Sequence, residues 1–503
     1  MKHNLLACLS LWVGTLVAQT PNNDPRFKNM DTYADSVLKQ FHIAGFAVAV
    51  VENDKVIYAK GFGYRDYEKK LPVTPNTVFP INSCTKAFTG ALCGILAEAG
   101  KLGLDQPVHQ YIPWFRFYND YTTEHATIRD LMAHRTGLPR HDQVSDFFDN
   151  AQPRDSLINR IRYLQPFTEL RGKYHYNNLM YTVLGVVSEK ITGQSYEQTL
   201  TERLLMPLDM SNTYLSAAGL MASPDHSLGY YYDEQTGKIM AGDYGNEPNP
   251  NCPAGGIVSS VMDMSKWLTA WLNGGKYKDK QVIPDWYVKE AIHPQMPIDN
   301  YSYGLGWYLS AFRGGHFRVE HSGTGRLSNS TACFYPDANG YSSPHRVGIV
   351  VLSNEFGDYA TSLIRDYLSD RLLNEGRTDL PGTNGDWASW FPGYKTYYAS
   401  NHKPNADQSA NPMKPAPLSH PLKDYTGNYF NPGYGTIDVH LKGSELVARF
   451  NKVDLVLKHF TYDIFEASPG GRLRFTTDNE GKIVTITMPL EEMVSDIVFE
   501  RTK

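Results

Sequence analysis

The amino-acid order predicts an α+β protein with a small all-β domain behind it, and three observations carry this. Strand-like runs stand at both ends of the first 375 residues: GFAVAVVENDKVIYAKGFG at 45–63, then FRVEHSG, STACFYP and HRVGIVVLSN between 317 and 354. Between them, from roughly 105 to 300, the chain reads mostly as helices and loops. Beyond Asp424 it turns to short alternating strands with glycine turns: TIDVHL, ELVARF, LVLKHF, LRFTT, KIVTITM and DIVFE. Strands at both ends of one segment predict a single sheet built from both ends and carrying a helical insert. Regular short strands predict a small barrel or sandwich.

The elements follow in order. MKHNLLACLSLWVGTLVAQT has a short basic start, Lys2 and His3, and an apolar stretch from Leu5 to Val17. That stretch is too short to span a bilayer comfortably, and Ala18 before Gln19 is an acceptable cleavage point, although Leu16 is larger than usual there. Residues 1–18 therefore read as a signal peptide, and the mature chain as exported, periplasmic or secreted, with no stable membrane anchor. Residues 27–42 place Met30, Tyr33, Ala34, Val37, Leu38 and Phe41 at helical spacing. Two strands follow with a turn at Asn53-Asp54. A helix runs from about Ser83 to Ala99 and is ended by Gly100. Strands at 317–323, 330–336 and 345–354 precede a helix around 357–374. Residues 376–420, rich in Pro, Asn and Ser, read as a linker. The expected map is a signal peptide at 1–18, a catalytic domain at 19–375, a linker at 376–420 and a barrel at 421–503.

Composition bounds the chemistry. The length of 503 residues suggests two to four domains, and 41% hydrophobic residues suffice for real cores. A formal net charge of -5 gives no reason to expect nucleic acid as a partner. Five cysteines are present, and Cys8 leaves with the signal peptide. Cys84 and Cys93 on one helix lie about 13 Å apart and cannot pair. A Cys252–Cys333 bridge stays open beside the plainer expectation of buried free thiols. Without C-x-x-C or a Cys/His cluster at zinc spacing, no metal is expected.

Three short motifs carry the chemistry. Ser83-Cys84-Thr85-Lys86 is an S-x-x-K, and Ser36-Val37-Leu38-Lys39 is a second. Only Ser83 follows VFPIN and opens an apolar helix, where its hydroxyl meets the positive end of the dipole. Lys86 lies one turn on along the same face. A partly desolvated amine there can take the serine proton or lower the pKa of another base. Tyr176-Asn177-Asn178 is a Y-x-N before the apolar helix LMYTVLGVVSEKITG; Tyr244-Gly245-Asn246 is its decoy. A phenol with pKa near 10 is a poor base without a cation beside it, and Lys86 can be that cation. Asn178 can orient Lys86 or bind a substrate amide. His321-Ser322-Gly323 ends the strand from 317, where His321 can bind or polarise substrate and Gly323 permits close approach of a substrate backbone.

Together, and in this order, the three motifs resemble the signature of the serine β-lactamase and penicillin-binding-protein superfamily, in the branch of class C β-lactamases, D-aminopeptidases and related esterases. LMAHRTGLP (131–139) is similar to that branch's leucine–histidine–serine-glycine-leucine-proline segment, with Arg135-Thr136 as a variant. PAGGIVSSVMDMSKW (253–267) and YGLGW (303–307) look like its later landmarks. The resemblance covers about residues 28–375. Residues 420–503, with YTGNYFNPGYGTIDVHL, look like the lipocalin-like β-barrel domain appended to some members, homo-oligomeric peptidases among them, so a homo-oligomer stays open.

The resemblance implies a β-lactamase/transpeptidase-like fold: an antiparallel sheet flanked by helices plus a helical insert, with Ser83 between them. It implies acyl transfer without metal or organic cofactor. Tyr176, held near deprotonation by Lys86, takes the Ser83 proton. The backbone N–H groups of Ser83 and Thr324 form the oxyanion hole, and Asn178, His321 and Gly323 contact substrate. One departure matters: class C enzymes usually carry Lys where this chain has His321. Lysine is charged at pH 7 and histidine often is not, which weakens attraction for a carboxylate. The expected function is an exported serine hydrolase acting on small peptides, amides or esters, most of all a peptidase. The alternative is a β-lactam- or peptidoglycan-fragment-binding sensor with little turnover.

Overall fold

The computed structural model describes residues 24–245, 249–337, 346–355, 360–374, 416–468 and 471–502. The signal-peptide stretch lies outside these residues, as does the linker up to 415. The last linker residues are bonded to the barrel: Ala416 N donates to Thr461 Oγ1 and Ser419 N to Asp463 Oδ1.

Nine strands form one sheet, ordered Met296–Ile298, Tyr301–Tyr303, Tyr308–Phe312, His316–Thr324, Asn329–Tyr335, Val347–Ser353, Gly45–Glu52, Lys55–Asp66 and Leu71–Pro72. Their pairings are antiparallel. Strands from the two ends of the catalytic region meet at the centre, where Val48 faces Val351. The three strands between 296 and 312 were not anticipated from sequence.

The strand Gly45–Glu52 is apolar from Gly45 to Val51 because both its faces are covered there. Side chains alternate across a strand. Ala47, Ala49 and Val51 join the inner core with the helices Thr85–Glu98 and Val261–Leu272, where Phe88 stacks on Trp267 with ring centroids 3.9 Å apart. Phe46, Val48 and Val50 join a second core under the outer helices Met30–Gln40 and Ala360–Leu372, where Tyr33 stacks on Tyr367. The helix Thr85–Glu98 is buried on almost every side. A Cβ on Gly94 would lie 2.3 Å from Tyr287 Cγ, so the helices Thr85–Glu98 and Asp285–Ala291 keep this contact only with glycine here.

Residues from Gly427 to Arg501 form a closed barrel of eight strands, sealed where Tyr429 pairs with Arg501. Gly427–Asn431 and Ile464–Ser468 add to the six strands legible in the sequence. The barrel shares the inner core of the catalytic region: Phe450 stacks on Phe147 at 4.5 Å, and Arg160 donates to Tyr434 O.

Cys84, Cys93, Cys252 and Cys333 are free and buried, so the open Cys252–Cys333 pairing does not form. Among the described residues, no helix is long and apolar enough to cross a membrane.

Candidate active site

The chain turns into its central helix through a short 3-10 segment, Asn82–Cys84. Asn82 has φ +47, in the left-handed region that costs a residue with a Cβ about 1 kcal/mol. Its side chain holds it there, donating to Ser328 O at 3.2 Å and Ser328 Oγ at 3.0 Å. Ser330 Oγ donates to Ile81 O at 2.6 Å, strapping the same turn to the sheet. Ser83 is thereby presented at the start of the helix Thr85–Glu98. The other S-x-x-K serine, Ser36, lies on the outer helix Met30–Gln40 and donates to Thr32 O.

Lys86 is fully buried one turn beyond Ser83. Its Nζ is 3.2 Å from Ser83 Oγ, 2.7 Å from Asn178 Oδ1 and 2.7 Å from Ala254 O. Burial pushes the Lys86 pKa well below the usual lysine range. The nearby Arg140 charge pushes the same way, and Asp142 opposes it.

Tyr176 and Asn178 are set by the start of a second buried helix, Asn178–Thr192. Asn177 caps it: its side chain accepts from Met180 N and donates to Pro139 O, joining this helix to the turn after residue 138. The Ser83 side chain lies close enough to the Tyr176 phenol to favour its ionised form. Lys86 Nζ sits 4.7 Å from the centre of the Tyr176 ring, and the Arg140 guanidinium 5.0 Å from it. Burial pushes the phenol pKa up; the nearby Ser83 side chain and the Arg140 charge pull it back only in part. The expectation of a charged Lys86 holding Tyr176 near deprotonation therefore meets an obstacle. Burial disfavours the ammonium and the phenolate alike.

His321, Gly323 and Thr324 lie on the strand His316–Thr324, where Thr324 pairs with Asn329. His321 is 1% exposed. Its Nε2 is 3.0 Å from Tyr303 Oη and its Nδ1 2.6 Å from Ser322 O. A carbonyl only accepts, so Nδ1 carries the proton and Nε2 accepts from the tyrosine. Burial, helped by Lys86, pulls its pKa down to about 3, leaving the ring neutral. Gly323 is required here by the protein's own chain. A Cβ on it would lie 2.2 Å from Ile81 O, where a substrate backbone had been expected.

Several groups at this site carried no signal in the sequence motifs. Asp142 accepts from Asn178 Nδ2 at 3.0 Å and from Arg140 Nε at 2.6 Å. Both follow LMAHRTGLP directly, which is the one hint the sequence offered. Within that segment, His134 is buried over the Tyr176 ring at 4.4 Å, and its Nδ1 accepts from Asn177 N. Arg135 donates to the buried Asp130 and so belongs to the scaffold. The barrel also reaches the site. Its residues 490–493 line a cavity of about 480 Å³ together with Arg140, Asp142, Tyr174 and Tyr176, opening beside Tyr176. Among the described residues, no group of three or more His, Cys, Asp or Glu is placed to hold a metal ion.

This arrangement can present a serine hydroxyl to an acyl group with a buried amine and a phenol at hand. The chain is 27% identical over 445 residues to unguisins hydrolase ungD' of Aspergillus campestris, covering 84% of this chain and 80% of that protein. It is 28% identical over 354 residues to protein flp of Staphylococcus aureus, covering 70% and 67%. Its fold is similar to that of the octameric penicillin-binding protein homologue from Pyrococcus abyssi, with TM-score 0.61 and 21% identity over 94% of this chain and 99% of that one. It is also similar to FmtA from Staphylococcus aureus, with TM-score 0.56 and 24% identity over 70% and 90%. A family described only as a domain of unknown function, DUF3471, matches residues 411–501. The beta-lactamase family matches residues 30–373, well over half of the sequence, and with the fold and the Ser83 turn in place the chain belongs to that family.

Proposed function

We propose that this chain is an exported serine hydrolase acting through an acyl-enzyme on amide or ester bonds, and that it is a peptidase of the class C-related kind. Ser83 is the nucleophile in this reading. The observation that supports it most is the set of three oxygens around Lys86 Nζ. An uncharged amine has two N–H groups and one lone pair. Asn178 Oδ1 and Ala254 O can only accept, and take both N–H groups. The lone pair is left facing Ser83 Oγ at 3.2 Å. Lys86 then receives the serine proton as Oγ attacks the carbonyl carbon. Tyr176, beside Ser83, passes a proton to the leaving group. Asn178 orients the amine.

The backbone N–H groups of Ser83 and Thr324 stabilise the oxyanion, about 3 kcal/mol for each donor. Water releases the acyl group by the same steps in reverse. The neutral His321 supports an assignment away from substrates held by a cation on that strand. In the proposed map, residues 1–18 direct export, 19–375 carry the chemistry, 376–420 connect and 421–503 form the barrel. The test is turnover of a nitrophenyl ester together with fluorophosphonate labelling of Ser83. Labelling with turnover supports the hydrolase; a stable adduct without turnover favours a sensor on the same fold.

A further inference from the structure

We propose that Glu491, on the barrel, is a positioning residue for Lys86, acting through the 141–142 turn and Asn178; this rests on the reading of Lys86 as proton acceptor. Glu491 Oε2 accepts from His141 N at 2.7 Å, and its Oε1 accepts from Met493 N at 3.3 Å, which fixes its own turn. The next residue along, Asp142, accepts from Asn178 Nδ2 through Oδ1. Asn178 Oδ1 accepts from Lys86 Nζ. Three hydrogen bonds and one peptide unit thus join the barrel to the amine beside Ser83.

The conformation of His141 makes this chain one that can be cut. Its φ is +45 and ψ +37, in the left-handed region that residues other than glycine adopt uncommonly. Such a residue holds its place only when its surroundings over-determine it. Two of its three contacts come from the barrel, Glu491 on the backbone N–H and Tyr434 Oη 2.7 Å from Nδ1; the third is Gln165 O, from the helical region, 3.0 Å from Nε2. Without Glu491 the backbone at 141 can relax and swing Asp142 away from Asn178. The lysine amine then loses the partner that turns its lone pair to Ser83, and gains room for solvent.

The test uses the full-length protein and nitrophenyl acetate over a range of pH. In Glu491→Ala, kcat falls about tenfold while KM stays within about twofold, the pattern of a misplaced reacting group. The acid limb of the pH–rate profile moves to higher pH, because a better-solvated amine is easier to protonate. Glu491→Gln still offers an oxygen to His141 N and restores both values. Tyr434→Phe cuts the barrel's other bond to His141 and lowers thermal stability without moving the limb. An unmoved limb in Glu491→Ala, equal impairment in Glu491→Gln, or an equal shift in Tyr434→Phe overturns the proposal. Should Glu491→Ala fail to fold, Glu491→Asp keeps the charge but draws the carboxylate back from His141 N, and moves the limb the same way by a smaller amount. An NMR titration of the Lys86 amine in the Ser83→Ala protein separates this inference from the hydrolase reading. A Lys86 pKa raised by Glu491→Ala there supports the positioning role whether or not the wild type turns over ester, and an unchanged value overturns it.

Discussion

Lys86 Nζ donates to Asn178 Oδ1 at 2.7 Å, and this contact decides which way the amine faces. An amine tethered by two obligate acceptors has one direction left for its lone pair. Replacing Asn178 by Ala frees an N–H group to turn toward Ser83 Oγ, where it competes with the hydroxyl hydrogen. The acylation rate in Asn178→Ala should fall by about 10- to 100-fold, since a small misplacement of a reacting group costs that much. Stopped-flow acylation by a nitrophenyl ester measures it, and a wild-type rate would refute this role for Asn178.

Ser83→Ala should abolish fluorophosphonate labelling and ester turnover. Ser36→Ala should change neither, because Ser36 is spent on Thr32 O in the outer helix. Labelling that survives in folded Ser83→Ala protein places the nucleophile elsewhere.

Lys86→Ala and Tyr176→Phe should differ in which substrates they affect. Loss of the proton acceptor should slow acylation by about 10²–10⁴ for every substrate. Loss of the phenol should matter most when the leaving group needs a proton. An amine leaving group does and nitrophenolate does not, so Tyr176→Phe should slow an amide far more than a nitrophenyl ester. Equal losses on the two substrates would point to the tyrosine as the acceptor from Ser83, as first expected from the motifs.

Activity should be lost as pH falls through the depressed Lys86 pKa, because the ammonium has no lone pair. Stability should follow the buried histidines. His134 and His321 are neutral in the fold, with pKa values below the ordinary 6.5. In the unfolded chain they take up protons from about pH 6.5 downward. The stability their neutral burial contributes is therefore complete above pH 6.5 and is lost as pH falls, for His321 until about pH 3. Each such group costs about 1.4 kcal/mol per pH unit in that window. Melting curves at pH 7 and 5.5 should show the decline, and His321→Phe should flatten it; parallel slopes in wild type and variant would exclude His321 as its source.

Barrel and catalytic region should melt together. Phe450 sits on Phe147 within a core common to both, so Phe450→Ala should cost about 3–5 kcal/mol and lower the melting of catalytic region and barrel alike. Calorimetry of the full chain should show one transition; two transitions, with only the later-melting unit affected, would mean independent domains.

The motifs were legible because each stands in a local context with a physical mark: a hydroxyl before an apolar helix, a cation one turn on, a polar pair at the mouth of a second helix. The structure brings Ser83, Lys86, Tyr176 and Asn178 into contact. Other parts of the site leave no such mark. Ala254 contributes a carbonyl, which every residue has. Glu491 meets His141 across 350 residues of sequence, a pairing no periodicity encodes. The charge states of Lys86 and Tyr176 leave no mark for a related reason, since burial follows from packing on all sides rather than from the spacing of a motif. The strands between 296 and 312 were hidden by brevity: Met296–Ile298 and Tyr301–Tyr303 have three residues each, too few to display alternation.

The two borders of the nine-stranded sheet govern how copies of the protein can meet. One border is Leu71–Pro72 and the other Met296–Ile298 with Pro297 at its centre. Proline has no N–H to offer a neighbouring strand, and two or three residues leave little backbone to pair. The barrel has no border at all, because its first and last strands are paired. Recruitment of a second chain along these two border strands is disfavoured, which favours contacts made by side chains on the outer surfaces. Such contacts can be gained or lost by single surface substitutions without disturbing the hydrogen-bonded framework beneath.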